Sequence, residues 1–303
     1  MTAPLRPPGT DERSVRTPHG VLRVLHSGPG SSERPPILLI HGGSSDNAAI
    51  SWYRLFAPLG EEYPVWAVDL PGFGGSIDVP PAGGPRELAD CVGGAMAALD
   101  LEPAVVFGVS MGGDVALNLA LAHPQRVRGL VLVAPGGLVP RLRSRAVQFG
   151  AWALASLPDW ILLPATRLAN RFVGSALRAI VADPSTLPPE VVTEFAREAR
   201  HPRAGLGFGR YNQATIERTR MNNDLSGAVH RIGVPALLFH GAADPMVDPE
   251  GSRRAARQMP HARLVLVPDC GHWAQLEAHD RFLAEVRPFL DGAVGAGPER
   301  GGR

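Results

Sequence analysis

The stretch GVSMGG at residues 108–113 places a serine between small residues, after an apolar run and before a helical pattern. A turn from strand to helix that points a side chain outward crowds the backbone, so the positions two before and two after the serine must be small. Gly108 and Gly112 meet that need. We therefore predict that Ser110 is a nucleophile held above the edge of a sheet, at the N-terminus of a helix.

A serine hydroxyl is a poor nucleophile unless a base takes its proton. Among the ten histidines, His272 in PDCGHWAQLE is the best placed base, because it follows the last strand-like run and precedes the final helical pattern. Asp244, on the loop after the preceding run, is the carboxylate that we expect to orient this imidazole. Asp248 is the alternative carboxylate, although a helix N-cap before Pro249 explains it, and Asp269 is interpreted as a turn residue.

An oxyanion that develops during acyl transfer needs two hydrogen-bond donors. One should be the backbone N–H of Met111, the residue after the nucleophile. The other should come from the HGGS turn that follows the run ILLI, where we predict the N–H of Gly43 and keep Ser44 as the alternative. His41, at the start of that turn, is interpreted as a structural residue.

The substrate pocket should be formed by residues next to these groups. We assign Ser44, Val109 and Trp273 to it, with plain packing as the alternative for Trp273, which lies beside the base. His240 ends the run LLFH, and we interpret it as a packed, hydrogen-bonded histidine.

Composition excludes several other chemistries. The 303 residues, 45% of them hydrophobic, allow one sizeable α/β core plus an insertion. The net charge of +1 gives no reason to expect a nucleic acid as partner. Because all basic residues other than histidine are arginine, Schiff-base, pyridoxal-phosphate and P-loop lysines are absent. The two cysteines, Cys91 and Cys270, have no metal-ligand spacing. We expect no metal and no cofactor.

The termini contain no targeting signal that we recognise. The N-terminal MTAPLRPPGTDERS is proline-rich and polar, without the apolar region of a signal peptide. No apolar run reaches the ~18–20 residues that a membrane span needs. We therefore expect a cytoplasmic protein that binds a small-molecule substrate and neither a membrane nor nucleic acid, and we allow for a homodimer.

Short apolar runs alternate with longer helical patterns, which is typical of a mostly parallel, doubly wound sheet. The strand-like runs lie at 21–27, 37–42, 64–72, 104–108, 129–137, 234–241 and 262–269. The helical patterns lie at roughly 85–99, 111–123, 250–259 and 274–290.

One long interval interrupts this alternation with amphipathic helical segments and prolines. We predict that residues 138–227 form a helical cap over the carboxyl ends of the strands, where ligands bind in open α/β sheets. The core would then comprise 20–137 and 228–292, with an N-terminal tail at 1–19 and a flexible tail at 293–303.

Together, the order Ser110, Asp244, His272, the HGG turn and GVSMGG resemble the α/β-hydrolase superfamily over about residues 20–291. The stretch DLPGFGGS at 69–76 is similar to the loop that follows the next strand in that superfamily. The resemblance implies the α/β-hydrolase fold with a helical cap insertion, a serine, aspartate and histidine triad, and no cofactor.

Two further stretches, CGHWAQLE at 270–277 and APGGL at 134–138, resemble the meta-cleavage-product hydrolases, which cleave a carbon–carbon bond in dienol acids. Members of that branch usually carry an asparagine before the serine, a turn of the type HGGGPG, and a cap arginine for the substrate carboxylate. Here Val109 precedes the serine and the turn reads HGGSSDN. Phe195 occupies the position that matches the arginine, although Arg197 and Arg200 lie nearby and could substitute.

An unpaired buried carboxylate is costly, so a pocket without a cation suits a neutral acyl group. We therefore predict a carboxylic-ester hydrolase that forms an acyl-enzyme on Ser110. The alternatives are a carbon–carbon hydrolase, a ligand-binding or non-hydrolytic protein such as a cyclase on the same fold, and a cofactor-free perhydrolase. A haloalkane dehalogenase would need aspartate at position 110.

Overall fold

The computed structural model describes residues 3–29, 32–101 and 103–293, in which eight strands form one sheet. The strands are β1 (Asp11–Thr17), β2 (Gly20–Ser27), β3 (Ile37–Ile40), β4 (Val65–Val68), β5 (Ala104–Val109), β6 (Val127–Val133), β7 (Ala236–Gly241) and β8 (Ala262–Val267). Their order is β1-β2-β4-β3-β5-β6-β7-β8. Strands β3 to β8 are parallel, and β2 is antiparallel to both its neighbours, β1 and β4. The predicted mostly parallel sheet is confirmed.

Helices cover both faces of this sheet. They are α1 (Ala48–Ser51), α2 (Phe56–Gly60), α3 (Pro85–Ala98), α4 (Met111–Ala122), α5 (Arg145–Ala155), α6 (Asp159–Ala169), α7 (Val173–Ile180), α8 (Pro189–Ala199), α9 (Leu206–Thr215), α10 (Pro249–Gln258), α11 (Ala274–Glu277) and α12 (His279–Ala293). Short 3₁₀ turns lie at Gly74–Ser76, Pro124–Arg126, Asn170–Phe172, Pro184–Thr186 and Val229–Arg231.

Alternation along the strands divides the core into two apolar layers. In β5, Val105, Phe107 and Val109 pack into the layer shared with α1 and α12, whereas Ala104 and Val106 face the layer shared with α3 and α4. Side chains of a strand point to opposite faces in turn, so a strand covered on both sides is apolar throughout. All six residues of β5 are buried.

The prediction of an N-terminal tail at 1–19 is wrong in part, because residues Asp11–Thr17 form β1 and pair along their length with β2. The sequence DERSVRT conceals this strand, since it lies at the edge of the sheet and only Val15 and Thr17 are buried. Polar residues are common on edge strands, which they protect from pairing with other chains. The predicted C-terminal tail, apart from Ala293, lies outside the described residues.

The segment between β6 and β7 contains helices α5 to α9 and, among its residues, no strand of the main sheet. Its helices leave several large apolar side chains exposed, among them Trp160 and Phe172. Within the described ranges, no single helix is long and apolar enough to cross a membrane. One bent pair of helices, Arg145–Ala155 with Asp159–Ile180, has the length and apolar composition of a membrane span, on those two criteria alone.

Candidate active site

Ser110 occupies the sharp turn between β5 and α4 with a backbone conformation that L-residues rarely adopt, φ 53° and ψ −117°. Hydrogen bonds on both sides hold this turn. The N–H of Ser110 donates to the carbonyl of Val133 at 2.9 Å, and its own carbonyl accepts from the N–H groups of Gly113 at 3.0 Å and Gly136 at 2.9 Å. The surrounding chain thus fixes a strained residue, which is a common property of functional sites.

The glycines around Ser110 are required by close backbone approach. A Cβ on Gly108 would run into the carbonyl of Gly112, and a Cβ on Gly112 would run into the carbonyl oxygens of Ile40 and His41. A Cβ on Gly113 would lie 2.7 Å from Cβ of Pro135. The prediction that small residues flank the serine for steric reasons is confirmed at these positions.

Asp244 and His272 are brought together from the loops after β7 and β8. Nδ1 of His272 lies 2.7 Å from Oδ2 of Asp244. The other carboxylate oxygen, Oδ1, accepts from the N–H groups of Met246 at 2.7 Å and Val247 at 3.0 Å. Burial would raise the pKa of Asp244, but hydrogen bonds from His240, His272 and Val247 outweigh it and hold that pKa well below its ordinary value. The carboxylate is therefore ionised and immobile beside the imidazole.

The loop that carries His272 is anchored to the helical segment above the sheet. The backbone N–H of His272 donates to the carbonyl of Ile180, the last residue of α7, at 2.8 Å. Oε2 of Glu277 accepts from the N–H of Gly271 at 3.1 Å and from that of Ala182 at 2.7 Å, which ties the same two segments together. The position of the imidazole therefore depends on the segment that covers it.

Ser110 and His272 both line one chamber, but among the described residues no hydrogen bond joins the hydroxyl to the imidazole. Such contacts are often long in unliganded enzymes and tighten when substrate binds. The geometry therefore contains the carboxylate–imidazole half of a triad, with the hydroxyl on the wall of the same chamber.

The turn after β3 is held by a buried carboxylate. Oδ2 of Asp46 accepts from the N–H of Gly42 at 2.8 Å and from the hydroxyl of Ser51 at 2.5 Å. The N–H groups of Gly43 and Met111, by contrast, have no acceptor within the described part of the chain. Both N–H groups are therefore unpaired among the described residues, as donors to an oxyanion would have to be.

His41 has the structural position that its sequence context indicates. Its Nε2 accepts from the N–H of Leu70 at 3.0 Å, so the proton must be on Nδ1, which donates to the carbonyl of Gly42 at 2.7 Å. Asp248 likewise accepts from the N–H of Glu250 at 2.9 Å as the N-cap of α10. Neither side chain is free to act in the chamber.

The chamber has a volume of about 460 Å³ and lies between the sheet edge and the helical segment. Its walls are Gly42, Gly43, Ser44, Ser110, Ala169, Asn170, Val173, Ala176, Leu177, Ala179, Ile180, Phe195, Phe208, Pro245, Met246, His272 and Trp273. This volume suits a small organic ligand. Apart from His272, no ionisable side chain lines it within the described ranges.

Two of the three predicted pocket residues, Ser44 and Trp273, line this chamber. The prediction for Val109 is wrong, because its side chain is fully buried in the core layer that contains Val105 and Phe107. Alternation along β5 directs Val109 away from the chamber and leaves the next residue, Ser110, at its wall.

Phe195, to which the resemblance assigns the position of the cap arginine, is an uncharged wall residue of the chamber. Arg197 does not replace that cation. Its guanidinium donates to both oxygens of Glu194 at 2.7 Å and to Glu198 at 2.5 Å. Arg200 is exposed and lines a neighbouring groove between α6, α7 and α8, which shares Asn170 and Val173 with the chamber. Neither Arg197 nor Arg200 is among the lining residues of the chamber.

Several chamber residues carry no local sequence signal. Asn170, Val173 and Leu177 reach the chamber only because α6 and α7 fold over the sheet edge. Asp114, to which the sequence assigns no role, is a fully buried residue whose Oδ2 accepts from the hydroxyl of Tyr211 at 2.6 Å. An acidic residue in the otherwise apolar helix MGGDVALNLALA is the signal that could have found it.

Within the residues that the structure describes, no group of three or more histidine, cysteine, aspartate or glutamate side chains could hold a metal ion.

Comparison with known proteins identifies the family. The sequence profile described as "alpha/beta hydrolase fold" matches residues 35–279, and the strand order and the elbow around Ser110 agree with it. The chain belongs to the α/β-hydrolase family.

Relatives with different reported activities share this fold. The chain is 31% identical over 297 residues to an uncharacterized protein of Mycobacterium tuberculosis, covering 95% of this chain and 84% of that protein. It is 30% identical over 296 residues to the 2-hydroxymuconate semialdehyde hydrolase of Pseudomonas sp. (strain CF600), covering 96% and 97%. The solved structure of a bacterial membrane phospholipase A superposes with a TM-score of 0.76 at 25% identity, covering 95% and 88%. The protein is thus a hydrolase of this family, and the names of these relatives differ from one another.

Proposed function

We propose that the protein is a serine hydrolase that cleaves carboxylic esters of small, largely apolar substrates through an acyl-enzyme. The observation that carries this proposal is the chamber itself, in which Ser110 and His272 meet walls that are largely apolar and, within the described ranges, otherwise without charged side chains. A neutral ester can enter such a space without leaving an unpaired buried charge, whereas a carboxylate would need a cation.

The proposed reaction begins when His272 takes the proton of the Ser110 hydroxyl as its oxygen attacks the ester carbonyl carbon. Asp244 is hydrogen-bonded to Nδ1, which directs Nε2 to the serine and stabilises the imidazolium that forms. The carbonyl oxygen becomes an oxyanion that accepts from the N–H groups of Gly43 and Met111. Removing one such donor typically lowers kcat by ~10²–10³.

Collapse of this intermediate breaks the bond between the carbonyl carbon and the alcohol oxygen. His272 then returns its proton to the departing alkoxide, which leaves as the alcohol. A water molecule next gives a proton to His272 and attacks the acyl carbon, and the carboxylic acid is released as Ser110 regains its proton. Each proton taken by the imidazole is returned within the same half of the cycle, so no further cofactor is needed to balance the reaction.

The test is hydrolysis of p-nitrophenyl esters of graded acyl length by purified protein. Ser110→Ala should abolish turnover and keep the fold. Ser226→Ala, at a turn outside the chamber, should keep both the turnover and the fold. A phosphonate that reacts with activated serines should add its mass to the peptide that contains Ser110 and to no other. Retention of full turnover by a clean Ser110→Ala preparation would refute the assignment.

A second candidate is carbon–carbon bond hydrolysis, favoured by the 30% identity to a 2-hydroxymuconate semialdehyde hydrolase over nearly the whole of both chains. Against it stands the absence of an arginine from the described chamber walls, where Phe195 occupies the position that the resemblance assigns to that cation. Assay of a chromogenic dienol acid beside the esters separates the two candidates. The ester proposal requires the larger kcat/KM for the neutral esters.

A further inference from the structure

Two imidazoles share one oxygen of the candidate catalytic carboxylate. Nε2 of His240 lies 3.1 Å from Oδ2 of Asp244, the same atom that Nδ1 of His272 contacts at 2.7 Å. His240 is the penultimate residue of β7, and its side chain has no exposed surface. It therefore lies behind the carboxylate, on the side away from the chamber.

The other contacts of His240 show that its Nε2 carries a proton. Nε2 also lies 3.2 Å from the carbonyl of Val247, so both neighbours of this nitrogen are acceptors and it must carry a proton. Nδ1 lies 2.8 Å from the hydroxyl of Ser252, which is buried and can donate to it. A ring with a proton on Nε2 satisfies the contacts of that nitrogen.

We infer that His240 is a positioning residue that sets the basicity of the Asp244–His272 pair by taking a share of the carboxylate charge. This inference rests on the proposed function, because it concerns the base of that reaction. The N–H groups of Met246 and Val247 already hold the other oxygen of Asp244. The orientation of the carboxylate thus does not depend on His240 alone, and its distinct contribution is to the charge on Oδ2.

The direction of the effect follows from electrostatics. A donor to an ionised carboxylate forms a strong, charge-assisted hydrogen bond and lowers the charge that remains for a second partner. With His240 in place, Asp244 stabilises the imidazolium of His272 less strongly, so the ring gives up its proton at lower pH and can act as a base there. Without that donor, His272 should hold its proton to higher pH.

The other polar and titratable groups near the Asp244–His272 pair are not substituted in any of the variants below. Burial raises the pKa of the Cys270 thiol to about 12, so it remains uncharged. Glu277 lies on the far side of the His272 loop, where Oε2 accepts from the N–H of Gly271. The facing segment contributes the carbonyl of Ile180, which has no charge to titrate.

Two amide substitutions separate the two hydrogen bonds of the His240 ring. The side-chain nitrogen of glutamine can replace Nε2, so His240→Gln keeps the donor to Asp244. The shorter asparagine reaches only as far as Nδ1, so His240→Asn keeps the contact with Ser252 and loses the donor to Asp244. Val265→Ala is the structural control, since Val265 is buried on β8 beside Phe239 and lies outside the hydrogen-bond network of Asp244.

The experiment measures kcat/KM for a p-nitrophenyl ester against pH, at a temperature where melting curves show each variant to be folded. His240→Asn should move the acidic limb to higher pH by about half to one unit, which is a three- to tenfold change in proton affinity. His240→Gln and Val265→Ala should leave the limb at the wild-type position. An unmoved limb in His240→Asn overturns the inference, and so does an equal shift in either of the other two variants.

A proton NMR titration of the low-field Nδ1–H signal of His272 follows the same equilibrium without any substrate. Its midpoint should shift upward in His240→Asn and not in His240→Gln, and identical midpoints would overturn the inference. Failure of the proposed function is distinguishable, because it would appear as ester turnover that survives in Ser110→Ala while the NMR comparison still reports on His240.

Discussion

The ring of Phe195 meets the ring of Trp273 edge to face, with centroids 5.6 Å apart and planes at 79°. Phe195 lies on α8 of the helical segment, and Trp273 follows the candidate base His272. The pair therefore packs the helical segment against the loop that carries this base. Both rings are almost fully buried. The contact leaves an apolar wall where a substrate carboxylate would need a cation.

Phe195→Arg should therefore reverse the substrate preference of the chamber. The variant should lose about tenfold or more in kcat/KM for p-nitrophenyl butyrate, because an unpaired guanidinium in an apolar pocket disfavours a neutral acyl chain. For an ester of matched length whose acyl chain ends in a carboxylate, kcat/KM should rise relative to that for p-nitrophenyl butyrate. Phe195→Leu, which keeps the wall apolar, should keep the wild-type preference. Equal losses for both esters in Phe195→Arg would show that this wall does not select the acyl group.

The elbow around Ser110 could be predicted from sequence because its constraint is local. Gly108 and Gly112 are needed by the path of the backbone within a few residues, and the flanking strand and helix have clear patterns. Asp244 and His272 could also be predicted from sequence, since the carboxyl ends of parallel strands meet at one sheet edge. Their pairing at 2.7 Å follows from that topology.

Features that depend on distant partners could not be predicted. Glu194 and Glu198 look like solvent-facing residues of α8, yet both are buried, because Arg197 and the amide of Asn47 satisfy them. The prediction for Val109 is wrong for a local reason, because alternation along β5 places it in the core layer of Val105 and Phe107. Contacts of this kind exist only once the helical segment and the sheet have come together.

Gly112→Ala should destabilise the protein strongly, because its Cβ would enter the space of the carbonyl oxygens of Ile40 and His41, which are backbone atoms of β3 and its turn. We expect a loss of about 3 kcal/mol or more in the free energy of unfolding, as for other backbone clashes. Gly174→Ala on α7 is the matched control, since a Cβ there meets open space and should change stability by about 1 kcal/mol or less. Urea unfolding of both variants checks this, and equal stabilities would contradict the steric account of the elbow.

Cys91 and Cys270 should be unreactive in the folded protein. Burial raises the pKa of each thiol to about 12, with nearby carboxylates adding to the shift. Since the thiolate is the reactive form, only about one thiol in ten thousand is ionised at pH 8. Iodoacetamide should label neither cysteine at that pH without denaturant and both in urea, as read by mass spectrometry. Rapid labelling of the folded protein would mean that these thiols are accessible.

Asp114 connects the helix under the nucleophile to the helical segment above it. Its carboxylate accepts from Tyr211 on α9 at 2.6 Å, from Asn223 at 2.5 Å, and from Asn118 on its own helix at 3.0 Å. Burial nevertheless raises the pKa of Asp114 to about 6, against the lowering effect of these three donors. The ionised form is thus less favourable in the folded protein than in the unfolded chain.

This shift predicts a pH dependence of stability with a definite sign. A carboxyl group whose pKa is raised from 3.8 to about 6 on folding binds its proton more tightly in the folded state, so its contribution is fully present below pH ~4 and is lost as pH rises through ~6. The loss should be about 3 kcal/mol. The side chain at position 114 of Asp114→Asn cannot ionise, so the free energy of unfolding of this variant should fall by about 2 kcal/mol less than that of the wild type between pH 4 and pH 7, since the unfolded chain is already partly ionised at pH 4. Asp248→Asn should keep the wild-type slope, since this exposed N-cap functions equally well as asparagine. If Asp114→Asn retains the full slope in urea unfolding at both pH values, the carboxyl group of Asp114 is not its source.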